Sequence, residues 1–444
     1  MRFRWRAALA VALVAGMGWA ARHLQVDDTL IYARYVRNLL TGHGLVFNWG
    51  ERVNALTSPL HTLLLVTASW LLHGNVIVAA WLLGVIFLAA TAVLAERVAP
   101  FSGVFLAAAI YFEIFLGMET ALFCFLLLLS VVAYDRGRWD WLPLLLCLVA
   151  LTRFEGGALA LAVAWQMLRR PAHSRVWPRW QAWVPVAVLV LLFFAANHSF
   201  YGRWLPSSGT AKLQQGLSGY WGQWPTAFFR LPRVFWRPLV SCFYVVPLVG
   251  WLAWRGAHTS KGRRWNRVVL PFLAILLAFY TLTNVPAYPW YYAPFVLFAI
   301  VYAGFGLPHT RWAYAGLTAV TLHLVVFGGL LLHGASALYA NYRSVGAWLQ
   351  ANTQPGATVA AAETGTLGWY APDHPVIDIV GLTTPRNATL LARHDTSSWL
   401  AEDKPDYVVM HTPAWVTGEA AVLQSPDYER LPMDWQGVYL MRRK

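Results

Sequence analysis

Carboxylates are scarce over the first three quarters of this sequence, and their positions are informative. The first 333 residues hold nine acids: Asp27, Asp28, Glu51, Glu96, Glu113, Glu119, Asp135, Asp140 and Glu155. Asp27 and Asp28 are adjacent, and repulsion between neighbouring carboxylates raises the pKa of one of them. Such a pair can supply a general base, its neighbour positioning a metal, a water or a substrate hydroxyl. An ordinary polar helix end is the bland alternative. Glu119 follows Gly117-Met118 at the junction of two apolar runs. Arg153 and Glu155 interrupt a 28-residue apolar stretch, where an ion must find a partner, a cavity or water. They read either as a structural ion pair or as the floor of a polar, substrate-binding cavity. Residues 201–212 set Arg203 and Lys212 among hydroxyls and glycines. Those cations suit a phosphate, or equally an anionic lipid surface. Trp290-Tyr291-Tyr292 reads as an interfacial aromatic belt, with sugar stacking as the alternative. Asp135 and Asp140, with Arg136 and Arg138 between them, read as solvated loop charge, as does Glu96 beside Arg97.

The elements that must position these groups follow from composition. Of 444 residues, 58% are hydrophobic and only 12% are charged. An ordinary soluble protein is about a quarter charged, so a soluble enzyme is excluded and a polytopic α-helical membrane protein remains. The 25 Trp and 19 Tyr suit a long membrane–water boundary. The net charge of +14 divides unevenly. Residues 1–333 are strongly basic, whereas 334–444 are slightly acidic, which suits basic cytoplasmic loops and not a nucleic-acid surface. Cys124, Cys147 and Cys242 are scattered through apolar runs and form no disulfide or zinc pattern.

After Arg2, Arg4 and Arg6 an apolar stretch reaches Ala21. It reads as a retained first helix with a cytoplasmic N-terminus, a cleaved signal peptide being the alternative. A polar segment over 22–57 follows on the outer face. Apolar runs come at 58–73, 76–95, 101–117, 118–134, 141–168, 183–197, 238–254, 268–284, 290–307 and 312–333. With the first helix this gives about eleven crossings, given the ~20 residues each needs. Arg169, Arg170, Arg175 and Arg179 mark one cytoplasmic loop. Arg255, Lys261, Arg263, Arg264 and Arg267 mark another. A second outer segment covers 198–237. Residues 334–444 read as a soluble α/β domain on the outer side, with a helix at 339–349 and buried strands at 357–361, 376–380 and 407–410. No GxxxxGK and no GxGxxG is present, so a donor, if there is one, is reached from the membrane.

Several of these stretches resemble a known family. Asp27-Asp28-Thr29-Leu30-Ile31-Tyr32-Ala33-Arg34, continuing through His43, Asn48 and Gly50-Glu51-Arg52-Val53 to Thr57-Ser58-Pro59-Leu60, resembles the first outer loop of bacterial arabinofuranosyltransferase-like GT-C glycosyltransferases. Gly117-Met118-Glu119-Thr120, Leu151-Thr152-Arg153-Phe154-Glu155-Gly156 and the 201–212 segment are similar to further motifs of that family. Residues 377–383 and 404–407 resemble its outer domain. The sequence departs from the family pattern at Asn54-Ala55-Leu56, His61, Phe154 and Ser207-Ser208. The resemblance implies a polyprenyl-phosphate sugar donor, arabinofuranose first, and a cell-envelope glycan or surface protein as acceptor, at the outer face of a bacterial cytoplasmic membrane. It implies Asp27 as the base, with Asp28 and Glu119 orienting the acceptor or Asp27. Lys212, Arg153 or Arg203 would meet the leaving phosphate. Arg34, His43, Asn48, Glu155, Trp290 and Tyr291 would be further substrate contacts. No cofactor is required, although a divalent cation would be compatible. On this reading Asp27→Asn abolishes transfer. The rival class is a transporter or lipid-linked-sugar flippase, in which Arg153 and Glu155 would gate. No inverted repeat favours it.

Overall fold

The computed structural model describes residues 2–169, 171, 176–230, 243–335, 340–413 and 417–444. Arg170, Arg175, Cys242, Tyr339 and residues 231–237 of the second expected outer segment lie outside the described residues. The chain is mostly helical. In order, α1 (Arg2–Ala20), α2 (Asp27–Leu40), α3 (Pro59–Leu71), α4 (Val76–Val98), α5 (Ser102–Ala108) and α6 (Thr120–Asp135) lead to α7 (Leu142–Thr152) and α8 (Gly157–Leu168). Next come α9 (Val184–Tyr201), α10 (Ser207–Leu217), α11 (Val245–Ala257), α12 (Ser260–Leu282), α13 (Ala293–Gly306) and α14 (Arg311–Ala335). Among the described residues, five helices are long and apolar enough to cross a membrane: α4, α9 with its leading turn, α12, α13 with its leading turn, and α14. The protein is a multi-pass membrane protein. Its main core joins α1, α4, α6, α8, α12 and α13 through Leu88, Leu127, Leu159, Phe272 and Phe298.

Two expected runs break. The 101–117 run is α-helical only through α5, with one further 3-10 turn at Glu113–Phe115, and Ile110 (φ 51°) and Gly117 (φ 98°) leave helical geometry. The 141–168 run divides where Arg153 adopts an extended backbone (φ −151°, ψ 126°). The second polar segment is also more ordered than a flexible loop, since its residues 207–217 form α10.

The two ends of the bundle differ in charge. Asp135, at the end of α6, pairs with Arg264 at the start of α12. Arg6 pairs with Glu96 at the end of α4. Glu96 is therefore not a solvated loop charge. It is buried, and it also accepts from the N–H groups of Phe101 and Gly103. The opposite end of the bundle carries the C-terminal domain.

That domain begins with α15 (Ala340–Asn352). It continues through β1 (Val359–Ala361), α16 (Thr364–Tyr370), β2 (Val376–Asp378), α17 (Pro385–Ala392), α18 (Ser398–Asp403), β3 (Tyr407–His411), α19 (Thr417–Gln424), β4 (Tyr428–Trp435) and β5 (Val438–Arg443). The sheet order is β2-β1-β3-β5-β4. β1 pairs parallel to β2 and β3, and β5 pairs antiparallel to β3 and β4. The three expected strands form the buried parallel half. The β4–β5 pair was not apparent in the sequence, because β4 is a half-exposed edge strand interrupted by Pro432, an edge residue by its missing N–H.

α2 turns 80° away from α1 and lies along α16. Each end of α16 meets the complementary charge. The Gly365 N–H donates to Asp27 Oδ2 (3.0 Å), and the Thr366 N–H and hydroxyl donate to Asp27 Oδ1 (2.6 and 2.8 Å). At the other end, Arg34 Nη1 donates to the Gly368 carbonyl (2.8 Å) and Arg37 Nη1 to the Trp369 carbonyl (3.0 Å). An acid at the N-terminus and cations at the C-terminus both favour the helix dipole. The helices approach so closely that a Cβ on Gly365 would stand 2.0 Å from the Asp27 carbonyl oxygen. Gly365→Ala is therefore expected to undock the C-terminal domain, costing about 1–3 kcal/mol as an overpacked contact does. A lower melting temperature and faster proteolysis between α14 and α15 would show it. Unchanged values would refute the tight contact.

Candidate active site

A cavity of about 200 Å³ opens between the bundle and the second polar segment, lined by Asp28, Tyr32, Thr57, Glu119, Arg153, Phe154, Glu155, Gly209, Lys212, Tyr280, Trp290 and Tyr291, among others. Each polar group reaches it from an interruption or a helix end. Asp28 lies in the first turn of α2, and Tyr32 follows four residues later on the same face. Glu119 immediately precedes α6. Arg153 and Glu155 occupy the break between α7 and α8. Lys212 projects from α10. Tyr280 is near the end of α12, and Trp290 and Tyr291 form the turn before α13.

Arg153 organises the floor. Its Nη1 donates to Glu119 Oε1 (2.6 Å) and its Nε to Glu155 Oε1 (2.6 Å). The Tyr280 hydroxyl adds a bond to Glu155 (3.1 Å), and the Tyr291 ring lies 5.1 Å from the guanidinium. The ion-pair alternative and the cavity-floor alternative are thus the same arrangement. The pairs hold the floor, and unused valences remain. Among the described residues, Glu119 Oε2 has no hydrogen-bond partner and Arg153 Nη2 donates none. Burial pushes the Asp28 carboxyl above the usual carboxylate range, with Lys212 pulling it down and Glu119 adding to the rise. A carboxyl of raised proton affinity, an open acceptor and two cations therefore share one space, a combination able to take a proton from a hydroxyl and to stabilise an anion.

The expected site residues divide. Asp28, Glu119, Arg153, Glu155, Lys212, Trp290 and Tyr291 come together around the cavity. Asp27 does not line it. Neighbours on a helix point about 100° apart, and Asp27 faces α16, where three donors hold its two oxygens. Burial lifts its carboxyl to about 7 despite those Thr366 and Gly365 bonds. Arg34 is also structural. It is 2% exposed, and its Nε, Nη1 and Nη2 are taken by Phe47, Gly368, Asn48 and His374. Asn48 pairs with both main-chain groups of Val376 (2.9 and 3.0 Å), extending the β2 edge as another strand would. His43 is exposed, stacked on Trp49 at 4.3 Å. Arg203 is exposed and is not among the residues that line the cavity. Tyr32, Thr57 and Tyr280 line the cavity without having been expected there. The spacing of Tyr32 four residues after Asp28 was the available signal.

Comparison with known proteins bears on the fold. A family model described as "Domain of unknown function (DUF8728)" matches residues 335–442. A terminal beta-(1->2)-arabinofuranosyltransferase of Mycobacterium tuberculosis is 50% identical over 66 residues, 15% of this chain and 10% of that protein. One from Corynebacterium glutamicum is 54% identical over 54 residues, 11% of this chain and 8% of that protein. The chain thus spans about a tenth of the length of the curated relatives it matches. The crystal structure of ArnT from Cupriavidus metallidurans bound to undecaprenyl phosphate aligns with 98% of this chain and 97% of its own, at 14% identity and a TM-score of 0.60.

Removing Arg153 would strand the buried carboxylate of Glu119 and the partly buried one of Glu155. Arg153→Met is expected to cost about 3–5 kcal/mol, as for a broken buried ion pair, and Glu119→Gln in the same protein should recover part of it. Thermal unfolding of the single and double variants in detergent checks this. Full additivity would contradict the pairing.

Proposed function

We propose that this chain, which has the GT-C fold of polytopic membrane glycosyltransferases, transfers a sugar from a polyprenyl-phosphate donor to a hydroxyl of a cell-envelope glycan or surface protein. Arabinofuranose is the first candidate sugar, in keeping with the short, strongly identical stretches shared with arabinofuranosyltransferases. The observation that carries the proposal is one cavity holding Asp28 opposite Arg153 and Lys212. The Arg-rich bundle end, where Arg6 pairs with Glu96 and Arg264 with Asp135, faces the cytoplasm by the positive-inside rule. The cavity and the C-terminal domain then lie on the outer face of a bacterial cytoplasmic membrane.

Asp28, rather than Asp27, is the base in this proposal, because it is the member of the pair that faces the cavity. Its raised pKa brings proton affinity towards working pH, where general bases are most effective. Asp28 takes the acceptor's hydroxyl proton as that oxygen bonds the anomeric carbon. The bond from that carbon to the phosphate oxygen breaks, and the electron pair leaves with the lipid phosphate. Lys212 and the free Nη2 of Arg153 receive the added charge. Glu119 Oε2 accepts from an acceptor hydroxyl. The step requires no cofactor, and a divalent cation would add to the same charge stabilisation.

Purified protein in nanodiscs, given a panel of polyprenyl-phosphate sugars and an octyl glycoside, should consume one donor and form a new glycosidic bond. Asp28→Asn should lower turnover by about 100-fold or more with an unchanged melting temperature. Asp27→Asn should lower the melting temperature and reduce turnover less. Near-normal turnover in Asp28→Asn would remove Asp28 as the base. Movement of lipid-linked sugar across liposomes without bond formation would replace the transferase reading with transport.

A further inference from the structure

The cavity wall holds two neutral hydroxyls that the transfer step does not use. Tyr32 and Thr57 both line the cavity, and the Tyr32 hydroxyl lies 3.1 Å from Thr57 Oγ1. One proton is spent on that bond. The pair keeps a second O–H and spare lone pairs, and neither hydroxyl has another partner among the described residues. One donor beside open acceptors matches a sugar hydroxyl, and it brings no charge to hold a phosphate.

Both hydroxyls are held from behind. The Tyr32 ring meets the His61 ring edge to face (5.4 Å, 85°). His61, where the sequence departs from the family pattern, is buried, and its Nε2 lies 3.1 Å from the Gly117 carbonyl. A carbonyl only accepts, so the imidazole donates through Nε2. Gly117 opens the turn to Glu119 and packs on α2, where a Cβ would stand 2.7 Å from the Thr29 methyl. Thr57 ends a segment that Tyr35 pins to α2, the Tyr35 hydroxyl donating to the Val53 carbonyl (2.6 Å) and accepting from the Ala55 N–H (3.1 Å). A hydroxyl pair fixed in this way loses little freedom when a ligand arrives.

The position of the pair says which reactant it meets. Tyr32 lies one helical turn after Asp28, about 6 Å along α2 and on the same face. Lys212 comes instead from α10, and Arg153 from the break between α7 and α8. A base at Asp28 requires the acceptor oxygen to reach α2, so the ring that bears this oxygen lies along α2 and brings its other hydroxyls to Tyr32 and Thr57.

We infer that the Tyr32–Thr57 pair is an acceptor subsite, which hydrogen-bonds one ring hydroxyl of a neutral glycan while another hydroxyl of the same sugar faces Asp28. This rests on the transferase reading above. Purified protein in nanodiscs is assayed with octyl arabinofuranoside and its monodeoxy analogues as acceptor probes. In the wild type, loss of one particular ring hydroxyl should lower the acceptor kcat/KM by about tenfold, the scale of one lost hydrogen bond. Tyr32→Phe and Thr57→Val, which remove a hydroxyl and keep the side-chain shape, should each cause a similar fall with the complete glycoside and leave the donor KM unchanged. With the deoxy analogue that the wild type penalises, Tyr32→Phe should add little further loss, because both changes delete the same bond. Additive losses would mean that the hydroxyl acts only through structure and would overturn the subsite, as would an unchanged kcat/KM in both variants. A donor KM raised as much as the acceptor's would move the pair to the donor sugar and overturn the acceptor assignment. Calorimetric titration with the same glycoside in the absence of donor separates the subsite from the reaction. If the wild type consumes no donor yet binds the glycoside about tenfold more tightly than Tyr32→Phe, the transferase reading fails and the subsite stands. In a protein that consumes no donor, equal binding by both, or binding by neither, overturns the subsite.

Discussion

The α2–α16 contact is the constraint on which the rest of the site depends. A buried arginine is costly unless its nitrogens find partners. Each nitrogen of Arg34 does, because the Phe47 and Gly368 carbonyls, Asn48 and the His374 carbonyl converge on it. Those partners come from both the membrane part and the C-terminal domain, so neither can be repositioned alone. Asp27 fixes the other end of the contact. Because Asp28 is its chain neighbour, anchoring Asp27 on α16 also sets the direction of Asp28. One member of the pair is spent on geometry, and the other is left free for chemistry.

The second polar segment extends the same logic. Ser207 donates to the Asn54 carbonyl through its N–H, and Gln215 bonds Val380. α10 is therefore held between the first polar segment and the C-terminal domain, and it carries Lys212 to the cavity. Asn284, fully buried, binds the carbonyls of Gly216 and Gly222 and accepts from the Ala227 N–H. A segment that reads as flexible from its glycines is fixed by contacts that the glycines make possible.

The sequence made the membrane class, the cavity's acids and cations, and the parallel strands legible, because each leaves a local mark. A low charge fraction, an ion within an apolar run and a short β-branched run are visible without knowing the fold. What it could not show was which way a residue faces. Asp27 and Asp28 are equivalent by spacing, and only the distant Gly365 and Thr366 distinguish them. Arg34 and Asn48 fall in a motif that resembles a substrate loop, yet Gly368 and Val376, to which they bond in the C-terminal domain, lie more than 300 residues away.

The charge of the cavity gives a last argument for its proposed chemistry. Asp28, Glu119 and Glu155 face Arg153 and Lys212, so the empty site is close to balanced and slightly acidic. In the proposed transfer the donor is a phosphodiester with one negative charge, and the released lipid phosphate, a monoester, gains a second. In a site of low dielectric an uncompensated charge would be expensive. The proton that Asp28 takes from the acceptor removes one negative charge as the phosphate acquires one. The total within the cavity is then conserved from reactants to products. A base that could not be neutralised, or a cavity without Lys212 and Arg153 on the phosphate side, would have to separate charge across the step. In that proposed transfer the raised proton affinity that burial gives Asp28 would serve two ends, drawing the proton and keeping the step electrically neutral.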